Sequence, residues 1–136
     1  MKSVYLAGAI NGCSDSEAID WRTYCTTSLG IIGISTIDPM SRDYRGREDQ
    51  CVNEIVELDK LDIDNCDAMI VSYQRPSVGT SMEILYAWER GKPVIVFTDT
   101  KSISPWLRYH SSHIVNSIDD ALELAANILG NNPLTT

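Results

Sequence analysis

Short runs of β-branched and other apolar residues alternate along the chain with longer stretches whose apolar positions recur at helical spacing. The apolar runs at residues 4–7, 31–36, 67–73 and 93–98, with a shorter one at 114–115, predict five strands. Helices predicted between the strands make the chain alternate strand and helix, which is typical of a parallel sheet covered on both faces. The sequence therefore predicts an α/β fold: a single doubly wound, Rossmann-like or flavodoxin-like domain with about five parallel strands.

Polar residues and glycine mark the ends of several predicted helices. Ser14 and Glu17 have the spacing of a capping box and predict a helix that continues to Leu29. Gly91 ends a helix predicted over residues 81–90. Two more helices are predicted from Val52 through Leu58 and from Ser117 through Leu129.

A chain of 136 residues fits one domain with one core, which we assign to residues 1–130, followed by a C-terminal tail at 131–136. Its formal net charge of -8 disfavours nucleic acid as a partner, because proteins that bind a phosphate backbone carry a basic face. No apolar run approaches the roughly 20 residues that cross a bilayer, so we expect no membrane partner and a cytoplasmic location.

The four cysteines are widely and irregularly spaced, and neither histidine lies near them in sequence. This spacing favours reduced, mostly packing cysteines and predicts no metal site. The segment from Gly8 to Gly12 does not match the dinucleotide fingerprint, and the loop before Glu83 lacks the ending of a P-loop. These mismatches disfavour a nicotinamide enzyme. We expect no metal and no organic cofactor, in keeping with the mechanism that a family resemblance given below implies.

Ligands of doubly wound folds bind beyond the carboxyl ends of the strands, which here are followed by the loops 8–15, 38–49 and 74–80. Gly8, Asn11 and Asp38 are the substrate-binding candidates of the first two loops. The second loop also carries a cluster of three arginines that is a candidate for binding a small anion or, equally, a solvated loop: Arg42, Arg45 and Arg47.

The third loop runs into a helix through a stretch of glycine and hydroxyl residues that ends at Glu83. Gly79 permits close approach of a ligand, and hydroxyls such as that of Thr80 can bind an anion or a sugar. We expect Glu83 in the first helical turn, where the helix start favours the ionised carboxylate that a covalent glycosyl mechanism needs. The alternative is that Thr80 and Glu83 form a capping box with no further function.

Three segments together resemble the nucleoside 2-deoxyribosyltransferase family: residues 5–10 (YLAGAI), Asp59 and Asp67 before a strand, and residues 76–87, which contain PSVGTSMEI and then Tyr86-Ala87. The resemblance runs in order from Tyr5 to about Ser117. It implies that Glu83 is the nucleophile that attacks the anomeric carbon, that Tyr5 orients this carboxylate, and that Asp59 helps to protonate the leaving base. Asp59 as a solvated helix acid, and Tyr5 as ordinary core, are the alternatives.

Ser77 stands where family members that act on free nucleosides typically carry an acid. The resemblance relates it to the serine with which deoxynucleoside 5′-monophosphate hydrolases bind phosphate, and Ser104 to a second such serine that reaches across a subunit interface. Those hydrolases also carry an arginine-rich loop after the first strand, where this chain has residues 11–14, NGCS. The resemblance further implies a homo-oligomer whose active sites are completed across subunits.

Three functions remain open at this point. The first is transfer of a deoxyribosyl group from one nucleobase to another, and the second is hydrolysis of the N-glycosidic bond of a nucleoside 5′-monophosphate. The third is a non-catalytic module that binds or senses a nucleotide. The first two share a small-molecule nucleoside or nucleotide substrate and a covalent intermediate on Glu83.

Overall fold

The computed structural model describes residues 1–130, so the predicted tail at 131–136 lies outside the described residues. The strands are β1 (Ser3–Gly8), β2 (Ser35–Ile37), β3 (Ala68–Ser72), β4 (Val94–Phe97) and β5 (His113–Val115). The helices are α1 (Asp15–Ile31), α2 (Val52–Asn65), α3 (Val78–Glu89), α4 (Pro105–Tyr109) and α5 (Ile118–Ile128). Two short 3-10 helices, Pro39–Ser41 and Glu48–Gln50, lie in the connection from β2 to α2.

All five strands are parallel and lie in the order β2-β1-β3-β4-β5. This arrangement confirms the predicted doubly wound α/β fold. The strand order reverses between β1 and β3, which are neighbours paired from Val4↔Ala68 to Gly8↔Ser72. Loops that leave such a pair in opposite directions open a crevice at the carboxyl edge of the sheet, and this is where ligands of the fold bind.

Each face of the sheet carries its own apolar core. Val4 and Leu6 of β1 pack toward α1 and α5, where Leu29 and Ala125 complete the first core. Because successive side chains of a strand point to opposite faces, Tyr5 points to the other side, into the core built with α2, α3 and α4. The alternation in β1 thus directs the tyrosine hydroxyl toward the helices that follow β2 and β3.

Two element boundaries differ from those predicted. Residues 31–36 were predicted as the second strand, but α1 continues to Ile31 and β2 is only Ser35–Ile37. The helix ends in a turn at Gly33, whose φ of 83° suits glycine, and the N–H of Ile34 donates back to the Leu29 carbonyl. The apolar residues of this segment therefore belong to a helix end rather than to a strand.

Helix α3 begins at Val78 rather than at residue 81, because the Ser77 hydroxyl accepts a hydrogen bond from the N–H of Thr80 at 3.3 Å and caps the helix. The predicted capping box of Ser14 and Glu17 is present at the start of α1. Among residues 1–130, no helix is long and apolar enough to cross a membrane.

Gly8, the last residue of β1, is packed too tightly for any side chain. A Cβ at this position would lie 2.8 Å from the Trp21 ring and 3.2 Å from the Ser72 carbonyl oxygen. We predict that Gly8→Ala lowers the free energy of unfolding by about 1–3 kcal/mol, the usual cost of overpacking, as measured by urea denaturation. Gly30→Ala is the matched control: that site is open and helical, so alanine should raise stability by about 0.5–1 kcal/mol. Equal stability of Gly8→Ala and the parent would contradict the packing described.

Candidate active site

A cavity of about 420 Å³ opens at the carboxyl edge of the sheet, between the end of β1, the side of α2 and the first turns of α3. Most of the site residues suggested by the sequence line it: Gly8, Asn11, Asp59, Ser77, Gly79, Thr80 and Glu83. Apolar side chains such as those of Pro39, Ile55 and Met82 form much of the remaining wall. The cavity is therefore a mostly apolar pocket with a few convergent polar groups, as small-molecule sites usually are.

Glu83 and Tyr5 meet at this cavity. The hydroxyl of Tyr5, which is fully buried in β1, donates a hydrogen bond of 2.5 Å to Oε2 of Glu83 on α3. Burial, and then the neighbouring Glu83 charge, raise the pKa of Tyr5 far above its ordinary value, so the hydroxyl keeps its proton and acts as a donor. The contact fixes the orientation of one carboxylate oxygen and leaves the other oxygen free of this bond.

Glu83 differs in environment from what the sequence suggested. Because Ser77 caps α3, Glu83 lies in the second helical turn and not in the first, where the helix start would favour its charge. Burial raises the pKa of Glu83 to about 7, and the Asp59 charge adds to the rise, whereas the Tyr5 hydrogen bond and the Arg22 charge oppose it. Near neutral pH the group is therefore poised between its protonated and ionised forms.

The alternative that Thr80 caps the helix in a box with Glu83 is wrong. Ser77 is the cap residue, and Thr80 lies inside the first turn with a buried side chain. The first N–H groups of a helix have no intrahelical partner, so the backbone N–H of Gly79, which lines the cavity, is a potential donor to a ligand. A Cβ at Gly79 would meet no atom within 4 Å, so this wall is open toward the ligand space.

Asp59 lines the cavity from α2 and is held by Arg42, which lies in the 38–49 loop. Arg42 Nη2 is 3.3 Å from Asp59 Oδ1 and 2.6 Å from Asp62 Oδ2. Burial raises the pKa of Asp59 even though the Arg42 charge opposes the rise. A carboxyl group whose pKa is raised holds its proton more readily than a free one, which is what a proton donor to a ligand needs.

The three arginines of the 38–49 loop do not come together as an anion site. Arg42 is paired with two acids of α2, and Arg45 with Asp43 and with Asp15 of α1. Arg47 lies over the Tyr44 ring. None of the three is among the described residues that line the cavity, and acidic residues of the protein itself already pair with the guanidinium groups of Arg42 and Arg45.

Asp38 follows β2 next to the cavity wall. Its side chain accepts a hydrogen bond of 2.8 Å from the N–H of Met40 and so caps the 3-10 helix that begins at Pro39. Oδ1 of Asp38 also lies 3.5 Å from Nε of Arg22 on α1. Asp38 is therefore not among the described residues that line the cavity, although Pro39, which follows it, is.

The sequence reasoning missed two cations at or near the site: Lys60, which lines the cavity from α2, and Arg22 on α1. The Arg22 side chain is fully buried and donates to the carbonyl oxygens of Ala18 at 2.6 Å and Gly8 at 3.0 Å. The available signal was its spacing, since Ala18, Arg22, Cys25 and Leu29 form the buried stripe of α1. An arginine inside an apolar helical stripe is a rare placement for a cation.

Ser104 does not join the Glu83 cavity within one chain. It caps α4, accepting from the N–H of Trp106 at 3.2 Å, and lines a separate cavity of about 280 Å³ with Trp106 and His110. Met82 lies between the two cavities and contributes to both. Large apolar side chains are exposed around the second cavity, among them Trp106 at 74% exposure.

A family profile described as nucleoside 2-deoxyribosyltransferase matches residues 4–125. Comparison with curated proteins gave no significant match. A solved 2-deoxyribosyltransferase from Bacillus psychrosaccharolyticus has a TM-score of 0.71 at 17% identity, over 88% of this chain and 90% of that one. A CMP N-glycosidase from Clostridium botulinum has a TM-score of 0.57 at 23% identity, over 91% of this chain and 98% of that one. A 2-deoxyribosyltransferase from Leishmania mexicana has a TM-score of 0.57 at 22% identity, over 82% of this chain and 73% of that one. At these identities the likeness to the solved structures is one of fold.

The raised pKa of Glu83 has a consequence for stability. Between about pH 4.5 and pH 7 the folded protein binds a proton at Glu83 that the unfolded chain has lost, so stability falls as the pH rises through this window. We predict that Glu83→Gln, which removes the charge, is more stable than the parent at pH 8 by up to about 3 kcal/mol and nearly equal to it at pH 4.5. Urea denaturation at both pH values measures the difference. Glu89→Gln, at the exposed end of the same helix, controls for the substitution itself, and a Glu83→Gln effect that is identical at the two pH values would contradict the assignment.

Proposed function

This chain belongs to the nucleoside 2-deoxyribosyltransferase family, and we propose that it breaks the N-glycosidic bond of a 2′-deoxynucleoside and transfers the deoxyribosyl group to another nucleobase. The family membership confirms the resemblance found in the sequence. It makes N-glycosidic bond chemistry on a nucleoside or nucleotide the expected activity. The observation that carries the proposal is the 2.5 Å hydrogen bond from Tyr5 to Glu83 at a cavity that Asp59 also lines.

Glu83 is the proposed nucleophile. Its carboxylate oxygen attacks C1′ of the sugar while the bond from C1′ to the base nitrogen breaks, and the bonding electrons leave with the base. The product is a glycosyl ester on Glu83, and Asp59 supplies the proton that neutralises the departing base. In the second step a nitrogen of the incoming base attacks C1′ and gives its proton to Asp59, the ester bond breaks, and the Glu83 carboxylate returns. Two inversions give retention of configuration.

The protonation states that this mechanism requires are compatible with the site. Glu83 must be ionised, and a pKa of about 7 leaves a substantial ionised fraction at neutral pH. Asp59 must carry a proton, and burial raises its pKa in that direction. The Asp59 charge is one of the causes that raise the pKa of Glu83, so a proton on Asp59 favours the ionised form of Glu83 that the mechanism needs.

A second candidate is hydrolysis of a nucleoside 5′-monophosphate, with water in place of the second base. It is favoured by Ser77, whose hydroxyl stands at the start of α3 on the cavity wall, where a carboxylate would repel a phosphate. The fold likeness to a CMP N-glycosidase is in keeping with this candidate. The capping bond from Thr80 to Ser77 is a structural role that the serine can fill with or without a phosphate.

The proposal includes a homo-oligomer in which Ser104 reaches the active site of a neighbouring subunit. Met82 and Leu85 of α3 and Trp106 and Tyr109 of α4 are exposed apolar side chains on the surface around the Ser104 cavity. A patch of this kind next to a site is typical of a protein–protein interface, because aromatic residues and methionine are enriched at such surfaces.

We predict that the purified protein releases base from 2′-deoxynucleosides in the presence of a second free base, and that Glu83→Ala and Glu83→Gln lower kcat/KM at least about 10³-fold, since the nucleophile is lost. Chromatography of a panel of deoxynucleosides and their 5′-monophosphates, with and without an acceptor base, measures both products. Glu89→Gln is the matched control.

The panel separates the alternatives. Base exchange on unphosphorylated substrates establishes transfer. Release from monophosphates alone, without an acceptor, establishes the hydrolase and makes Ser77 and Ser104 its phosphate ligands. Absence of any turnover by the parent, or full activity of Glu83→Ala, contradicts the catalytic proposal and leaves a non-catalytic nucleotide-binding module.

We predict that the parent sediments as a dimer or larger species and that Trp106→Glu dissociates it, because a buried charge in an apolar interface is unfavourable. Catalytic activity should fall together with the mass. Ile31→Glu is the control, since Ile31 is 81% exposed on α1 and lies outside the α3/α4 patch. Analytical ultracentrifugation decides: a monomeric parent, or a Trp106→Glu variant of unchanged mass, contradicts the shared site.

A further inference from the structure

We propose that Arg22 is a positioning residue for the reaction, a buried cation that holds Asp38 and the end of β1 in place against the substrate cavity. This inference rests on the proposed function, since it assigns Asp38 a role in binding the substrate. Arg22 lies on α1, on the opposite face of the sheet from Tyr5 and Glu83. It acts over the carboxyl edge of the sheet rather than from within the cavity.

The contacts of Arg22 join three elements. Its Nη1 binds the carbonyl of Ala18 in its own helix, its Nη2 binds the carbonyl of Gly8 at the end of β1, and its Nε faces Asp38 after β2. The planar guanidinium group can hold these three partners at once because its donors point in fixed, different directions. Gly8 lines the cavity, and Asp38 precedes Pro39, which also lines it.

Fold stability alone is a poor explanation for this arginine. A fully buried guanidinium group loses its hydration, and an apolar side chain of similar volume is often equal or better for stability. Nε of Arg22 has no hydrogen-bond partner among the described residues and faces Asp38 only as an ion pair of 3.5 Å. The neighbouring residues of the buried stripe of α1 are apolar, so an apolar side chain would suit the helix equally well.

The charge of Arg22 also acts on the proposed nucleophile. The charged and titratable groups that bear on Glu83 are Tyr5 from β1, Asp59 from α2 and Arg22 from α1. Asp59 raises the pKa of Glu83, and Tyr5 and Arg22 lower it. Removal of the Arg22 charge is therefore expected to move the acid limb of the pH–rate profile to higher pH, an effect that a purely structural role would not produce.

The test uses the full-length chain and compares Arg22→Lys, Arg22→Met, Asp38→Asn and the double variant Arg22→Lys/Asp38→Asn. Lys92→Gln is the matched control, because Lys92 is also a cation that binds two backbone carbonyls, those of Asp64 and Cys66. Lys92 lies just before β4, at the amino ends of the strands and so away from the cavity. kcat and KM for base release are measured from pH 5 to pH 9 and corrected for the folded fraction from thermal unfolding.

We expect Arg22→Lys and Asp38→Asn each to lower kcat/KM about tenfold or more, largely through KM, because an ammonium group cannot hold all three partners. The double variant should lose no more than the worse single variant, since both remove the same interaction. Arg22→Met should in addition shift the acid limb upward, whereas Lys92→Gln should keep the parent's KM and pH profile.

The inference is overturned if Arg22→Lys keeps kcat/KM within twofold of the parent, if Asp38→Asn does so, or if the two losses add in the double variant. Should Arg22→Met fail to fold, these comparisons decide without it. A parent that releases no base refutes the proposed function instead, so the two failures are distinguishable.

Discussion

The hydrogen bond from the Tyr5 hydroxyl to the Glu83 carboxylate connects strand β1 to helix α3 at the cavity. For this bond to form, β1 must direct Tyr5 to the α3 face of the sheet, and α3 must begin at Val78, after the Ser77 cap, so that Glu83 lies one turn inside the helix. The parallel pairing of β1 with β3 brings the loops that follow these strands together. The bond thus depends on strand register, helix start and loop placement at the same time.

The same meeting of β1, α2 and α3 determines the charges at the site. Glu83 and Asp59 line one cavity, and burial raises the pKa of both carboxyl groups. In a chain of net charge -8, the compensating cations come from elements remote in sequence: Arg42 from the loop after β2, and Arg22 from α1. Burial of two carboxyl groups in one cavity is unfavourable for both charges, and these cations reduce that cost.

The surface around Ser104 is where the proposed subunit interface lies. Ser104 starts α4 beside exposed apolar and aromatic residues, and the cavity it lines shares Met82 with the Glu83 cavity. A single chain keeps these two cavities apart. In the proposed oligomer the α3 surface of one subunit would meet the α4 surface of another, so assembly and substrate binding would depend on the same patch.

The sequence alone determined the α/β fold, the family and seven of the residues that line the cavity, because apolar periodicity and the run from Ser77 to Glu83 are local patterns. Two of its boundaries were wrong, the start of α3 and the second strand, since a serine cap and a glycine turn outweighed the apolar pattern. Tertiary structure alone decided three further points: the raised pKa of Glu83, the pairing of Arg42 with Asp59, and the burial of Arg22 against Gly8 and Asp38. The physical reason is that desolvation and ion pairing depend on which distant residues meet in space, and no spacing along the chain encodes that.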